Sequence, residues 1–212
     1  MKFYDYFRSS AAYRVRITMN LKGVEAERVF INLSKGEQRA ASFLDVSPSG
    51  LVPVLEHDGH RIHQSLAIID YLDALHPEPR MVPRDAAGRA RVLGLALAMS
   101  ADIHPLTNLR VLNYVEHDVG GGKAARAAWI AHWVHEGLGA LEALLTHDAE
   151  TGTFCHGEAP GIADACLVPQ LFFARRFDLD LTAYPTLVRI DAACNELPAF
   201  ADAHPMKQPD AA

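Results

Sequence analysis

Residues 51–65 read Leu51-Val52-Pro53-Val54-Leu55-Glu56-His57-Asp58-Gly59-His60-Arg61-Ile62-His63-Gln64-Ser65. Leu51 to Leu55 has the apolar, β-branched make-up of a strand. Pro53 inside it signals a sheet edge, a bulge or a cis bond, because proline cannot donate to a ladder. Asp58-Gly59 is a tight-hairpin pair, so a partner strand is expected near His60 to His63. Gln64-Ser65 then opens a helix that runs through Leu75.

Upstream, Lys2 to Phe7 reads as a short aromatic strand. Ser9 and Ser10 offer N-caps for a helix from about Ala11 to Leu21, and Gly23 is its stop. Val15, Ile17, Met19 and Leu21 alternate as a strand would, but Ala11, Ala12 and Lys22-Gly23 favour helix. Glu27 to Leu33 reads as a second strand, and Ser34 to Ser49 as a short helix or loop. The order over residues 1–76 is β-α-β-α-β-β-α.

Downstream, residues 77–84 lie in His76-Pro77-Glu78-Pro79-Arg80-Met81-Val82-Pro83-Arg84, too rich in proline to continue a helix, and read as a linker. Residues 85–212 read as helical almost throughout: about Asp85 to Val115, Lys123 to Leu145, Ile162 to Phe177 and Pro185 to Glu196. Ile162 to Phe173 is apolar nearly all round and should be the buried central helix. Pro105 should kink the long helix that contains it. An α/β domain joined to an all-helical one predicts a small-molecule site in the cleft between them.

A net charge of −6 without a Lys/Arg run argues against nucleic acid as a partner. An anionic substrate would need local cations, because the overall field opposes it. No apolar run approaches the ~20 residues that span a bilayer, and the first residues lack a secretory apolar core. Three cysteines without a Cys-x-x-Cys suit a reducing compartment. A cytoplasmic protein without a membrane partner is the expectation. The 11 histidines find no carboxylate or Cys at ligand spacing, so no metal is expected.

Three places could carry chemistry. Ser9 and Ser10 lie where the first strand meets the first helix. A thiolate there is stabilised by free N–H groups and a hydroxyl donor, although either serine could be only an N-cap. At Val52-Pro53 a cis bond would turn the Val52 backbone toward a peptide-like ligand, or the proline could simply protect an edge. Ser65 would cap its helix, whose exposed amides suit a carboxylate.

Taken together, the motifs resemble the zeta class of glutathione transferases. They are Ser9-Ser10-Ala11-Ala12-Tyr13-Arg14-Val15-Arg16-Ile17, Ser47-Pro48-Ser49-Gly50-Leu51-Val52-Pro53 and Gln64-Ser65-Leu66-Ala67-Ile68 in the first half. Pro105-Leu106-Thr107-Asn108-Leu109, Ala163-Asp164-Ala165-Cys166-Leu167-Val168-Pro169-Gln170, Arg176-Phe177, Tyr184-Pro185-Thr186 and His204-Pro205 follow in family order. The resemblance spans essentially the whole chain.

It implies an α/β thioredoxin-like N-terminal domain, an all-α C-terminal domain and a homodimer, with glutathione as cofactor. Carried over by position, Ser9 hydrogen-bonds the glutathione sulfur. Val52, beside cis-Pro53, pairs its backbone with the cysteinyl part, and Gln64 and Ser65 hold the γ-glutamyl carboxylate. His104 and Asn108 reach glutathione from the helical half, and Arg176 binds a substrate carboxylate. The sequence departs from the family at Ala11, where cysteine is usual, at His104, usually Gln, and at Arg110, usually small and polar. Arg8, Arg110 and Arg176 would supply cations for a dicarboxylate, although any single arginine could be a surface charge. Tyr4, Tyr6 and Tyr13 read as packing, and Asp164 as a helix cap.

The implied activity is glutathione-dependent cis–trans isomerisation of a small conjugated dicarboxylic keto acid. Maleylpyruvate to fumarylpyruvate is preferred, because Arg110 offers an extra partner to the carboxylate on its keto carbon, and maleylacetoacetate is the alternative. A conjugase acting on haloacids is the alternative among enzymes. A non-catalytic binding protein of the same fold is the alternative of another class.

Overall fold

The structure, a computed structural model, describes residues 1–211. It divides into two units, Met1–Met81 with Asn195–Ala212, and Val82–Cys194.

The first unit is built on a four-stranded sheet of order β2-β1-β3-β4. β1 (Lys2–Asp5) runs parallel to β2 (Glu27–Phe30) and antiparallel to β3 (Val54–His57), which pairs antiparallel with β4 (His60–His63). The parallel pair is joined through α1 (Ser10–Lys22), the helical crossover that a parallel connection requires. The hairpin is as read: Asp58 and Gly59 both have positive φ, 48° and 79°. α3 (Ser65–Leu75) follows β4, and α1 and α3 pack on each other.

β1 and β2 end sooner than the sequence suggests, each for a local polar reason, while β4 spans His60–His63 as read. β1 ends at Asp5 because its carboxylate accepts the Tyr6 N–H (2.7 Å), starting a turn closed by Ser9 N–H on the Tyr6 carbonyl (2.9 Å). β2 ends at Phe30; Asn32 then accepts the Ser34 and Lys35 amides and opens a 3₁₀ turn. β3 starts after Pro53, and the stretch before it holds only the short α2 (Ala41–Leu44) and turns.

α1 is buried nearly all round, which explains its ambiguous pattern. The alternation of Val15, Ile17 and Met19 marks one part of the burial, and Arg14 and Arg16, 1% and 3% exposed, mark the rest. Arg16 forms an ion pair with the fully buried Asp5 (2.8 Å) and also donates to the Phe7 and Ala203 carbonyls (2.9 and 3.1 Å).

The last residues, Asn195–Ala212, group with this first unit rather than with the helices that precede them in the chain. Asn20 and Arg16 of α1 donate to the carbonyls of Ala199 and Ala203. α10 (Pro198–Ala201) packs on α1.

The second unit contains α4 (Ala86–Leu97), α5 (His104–Leu106), α6 (Leu109–Asn113), α7 (Gly122–Thr146), α8 (Ile162–Arg176) and most of α9 (Pro185–Asn195). The single helix expected from Asp85 to Val115 is interrupted. It passes into π winding over Ala98–Ile103 and stops at Thr107. Pro105 has no N–H to return to the helix, and the wider winding accommodates that loss. Asn108 then caps α6, its side chain accepting the Arg110 N–H (3.1 Å).

α8 is the buried helix of this unit. Asp164, 1% exposed, accepts the Gly161 and Cys155 amides, each at 2.8 Å. Gly161 has no side chain to return the bond, so only half of a capping box exists. Among the described residues no helix is long and apolar enough to cross a membrane, and no group of His, Cys, Asp and Glu could hold a metal ion.

Glu142 of α7 caps α9 from outside it, accepting the Thr186 and Leu187 amides (2.9 and 3.0 Å). Burial pushes its carboxyl up, but these amides and the Thr186 and Thr146 hydroxyls outweigh it and hold it below the ordinary 4.5. A depressed carboxyl stabilises the fold above its unfolded value and loses that contribution as pH falls through the folded one. Glu142→Gln should therefore flatten the decline in melting temperature below about pH 4.5. Parallel pH curves for variant and parent would show that this cap contributes nothing.

Candidate active site

In the first unit, Ser9 is the N-cap of α1. Its backbone is extended, with φ −71° and ψ 114°, and its Oγ accepts the Ala12 N–H (3.2 Å). Accepting with a lone pair leaves the hydroxyl hydrogen able to donate elsewhere. Capping and donation to a thiolate are thus compatible in one serine. Ser10, beside it, is the first helical residue and is buried. Arg8 is exposed, its guanidinium 4.8 Å from the Phe7 ring centroid.

The Val52–Pro53 peptide bond is cis. The ladder between β1 and β3 stops at the Tyr4–Val54 pair, which leaves the Val52 backbone outside it. Val52 and Phe7 belong to one apolar cluster with Tyr4, Tyr6, Phe43 and Val54. Packing therefore brings the Ser9 turn and the Val52 segment, far apart in sequence, to the same end of the sheet.

At α3 the structure corrects the sequence reading of the cap. Gln64, at φ 71°, holds the N-cap position and makes no side-chain cap bond, while Ser65 is the first helical residue. Positive φ is uncommon for a residue with a side chain. Here it turns the chain out of β4, and the exposed Gln64 side chain is not consumed in capping. The first amides of α3 remain available to an anion. Beneath them Arg14 donates to the Ser65 hydroxyl (3.2 Å).

The sequence reading quoted Arg14 and Arg16 only as part of a signature. Both brace the site: Arg14 holds Ser65, and Arg16 holds the Tyr6–Phe7 turn ahead of Ser9. Their i, i+2 spacing on a buried helix was the available signal. Tyr4 donates to Glu56 (3.1 Å), and burial, then Glu56, raises its phenol above 10.0. Tyr13 is 1% exposed and packs edge-on against His204.

In the second unit, His104 opens α5 and is half-buried. Asn108 and Arg110 meet in one capping turn, which commits Asn108 Oδ1 to the Arg110 amide, and the Arg110 side chain is exposed. Trp129 fixes the chain just before this turn by donating to the Leu106 carbonyl (2.8 Å). Arg176, exposed at the end of α8, has its guanidinium 5.4 Å from the Phe177 ring. Arg175 points elsewhere, to an ion pair with Asp191 of α9 (2.7 Å).

The glutathione S-transferase N-terminal domain family matches residues 1–74. The chain is 47% identical over 210 residues to a probable maleylacetoacetate isomerase of Vibrio cholerae, covering 98% of this chain and 97% of that one. A holo structure of maleyl pyruvate isomerase, described as a bacterial zeta-class glutathione-S-transferase, is 44% identical with a TM-score of 0.97 and full coverage of both chains. A maleylacetoacetate isomerase from Methylobacterium extorquens AM1, solved with bound malonate and glutathione, gives a TM-score of 0.97 at 39% identity, again over both whole chains. Full-length likeness at these identities, together with the matched N-terminal domain, places the chain in the zeta class of glutathione transferases.

Proposed function

We propose that this chain is a glutathione-dependent cis–trans isomerase that converts maleylpyruvate to fumarylpyruvate. The observation that carries the reading is the Ser9 cap of α1, whose hydroxyl keeps a hydrogen to donate, in a chain similar throughout to named isomerases. Residues 1–76 would hold the cofactor, and helical residues 85–212, after a linker at 77–84, would contribute the substrate site.

The first unit fits glutathione. The Val52 backbone lies outside the ladder, Gln64 leaves the α3 amides uncapped, and Ser9 offers a hydroxyl at a helix start. Val52 beside Pro53 would pair with the cysteinyl backbone, and Gln64 and Ser65 would hold the γ-glutamyl carboxylate. His104 and Asn108 are assigned to glutathione from the helical unit; Asn108 would use its amide hydrogens, since its oxygen is engaged. When bound, glutathione supplies a thiolate that adds reversibly to a conjugated alkene. Ser9 donates to that sulfur, and the start of α1 lowers its proton affinity. Arg8, Arg110 and Arg176 bind the substrate carboxylates and stabilise negative charge as it moves onto the conjugated oxygens.

Maleylacetoacetate is the second reading, favoured by the names of two of the relatives above. Arg110 tips the choice to maleylpyruvate, which places its second carboxylate directly on the keto carbon. Exposed Leu97, Tyr114 and Val119 offer apolar surface for the homodimer we also infer. The buried thiols Cys155, Cys166 and Cys194 suit the cytoplasm.

Turnover should require glutathione and survive a chelator. Ser9→Ala should raise the thiol pKa of bound glutathione and slow turnover by up to about a hundredfold. An ultraviolet thiolate titration that gives the same midpoint for variant and parent would remove Ser9 from the mechanism. Isomerisation undiminished without glutathione would sink the whole reading.

A further inference from the structure

The turn that presents Arg8 and Ser9 is held at each backbone polar group from the Tyr6 N–H to the Phe7 carbonyl. Tyr6 N–H donates to Asp5 (2.7 Å), and the Tyr6 carbonyl accepts from Ser9 N–H (2.9 Å). The Phe7 carbonyl accepts from Arg16 (2.9 Å). These partners all lie within β1 and α1 or the turn between them. The fourth does not: Phe7 N–H donates to Asp210 Oδ2 (2.9 Å), a residue 203 positions along the chain.

The segment that delivers Asp210 is built to hold it. Gln208, 8% exposed, donates to the Asp202 and His204 carbonyls (2.9 and 3.0 Å) and accepts from Arg28 (3.2 Å). Arg28 in turn pairs with Asp5. Pro209–Ala211 forms a 3₁₀ turn, and Ala211 packs on the apolar cluster that contains Phe7 and Val52. The other Asp210 oxygen, Oδ1, is buried with no hydrogen-bond partner among the described residues. Leaving a carboxylate oxygen buried without a donor is costly, and the fold bears that cost where Oδ2 meets the Phe7 amide.

We propose that Asp210 is a positioning residue for Ser9. By fixing the Phe7 N–H it fixes the turn, and with it the direction in which the Ser9 hydroxyl and the start of α1 face the glutathione sulfur. The catalytic part of this rests on the glutathione reading above; the anchoring part does not.

The test compares parent, Asp210→Ala and Asp210→Asn by amide hydrogen exchange of the Tyr6–Ser9 segment without ligand, and by thiolate titration and kcat with glutathione. Asp210→Ala should speed exchange of that segment about tenfold or more, raise the glutathione thiol pKa and lower kcat several-fold. Asp210→Asn keeps an acceptor oxygen and should recover most of each loss. Unchanged exchange in Asp210→Ala would overturn the anchor. Faster exchange with an unmoved thiol pKa and kcat would reduce it to a structural bond and overturn the positioning role. An asparagine as damaging as alanine would overturn acceptance by the carboxylate as the cause. If the parent bound no glutathione, the functional reading would fall and the positioning role with it, while the ligand-free exchange comparison would still decide the anchor.

Discussion

Arg176→Ala should lower kcat/KM for maleylpyruvate and maleylacetoacetate by roughly thirty- to a thousandfold while leaving glutathione affinity nearly unchanged. At a net charge of −6 the protein repels a dianion, so the site must supply its own cations. Arg176 ends α8 exposed, and the proposed function assigns it to a substrate carboxylate. Its neighbour is the control, but alanine there would be a poor one. Arg175 pairs with Asp191, which is 3% exposed, so Arg175→Ala would disturb a buried carboxylate and cost stability for reasons unrelated to substrate. Arg175→Lys keeps that pair and should leave kcat/KM close to the parent. Arg110→Ser should show a smaller loss, larger for maleylpyruvate than for maleylacetoacetate. An unchanged ratio of the two substrates in Arg110→Ser removes the case for maleylpyruvate. A silent Arg176→Ala removes Arg176 from substrate binding.

Arg16→Met should destabilise the protein by about 3–5 kcal/mol in denaturant unfolding, among the largest effects of any single exchange in this chain. The guanidinium is buried with Asp5, and it also satisfies the Phe7 and Ala203 carbonyls. Burial lowers the pKa of Arg16, and the adjacent Asp5 opposes that shift. Removing the cation leaves Asp5 with Arg28 and strands two carbonyls, so the lower end of the range is favoured. The double variant Asp5→Leu/Arg16→Met should cost less than the sum of the two single exchanges, because no buried charge is then left alone. A loss under about 1 kcal/mol in Arg16→Met would show that the network is not a main support of the fold.

Much of this was legible in residue order. Asp58-Gly59 sets a hairpin because both positions must take positive φ, a property of those two residues and their neighbours alone. Ser9 reads as a cap because a hydroxyl before a helical run satisfies an amide three residues on, and it does so at Ala12. The stretch from Ile162, apolar nearly all round, reads as a buried helix because no broad face of it favours water. The signature motifs placed the family, since their order and spacing were themselves the information.

What the sequence left open depended on partners distant along the chain. Alternation in α1 could not say why its polar positions were tolerable. Asp5, Ser65 and Ala203 supply that reason by bonding Arg16 and Arg14, and only folding brings them there. Pro105 announced a bend, but the π winding ahead of it and the restart at Asn108 depend on how the freed backbone groups are satisfied. Residues Asn195–Ala212 read as part of the helical half because helix propensity is local. Their place against α1, with Asp210 on the Phe7 amide, is set by hydrogen bonds to groups some two hundred residues away, and no local pattern records those.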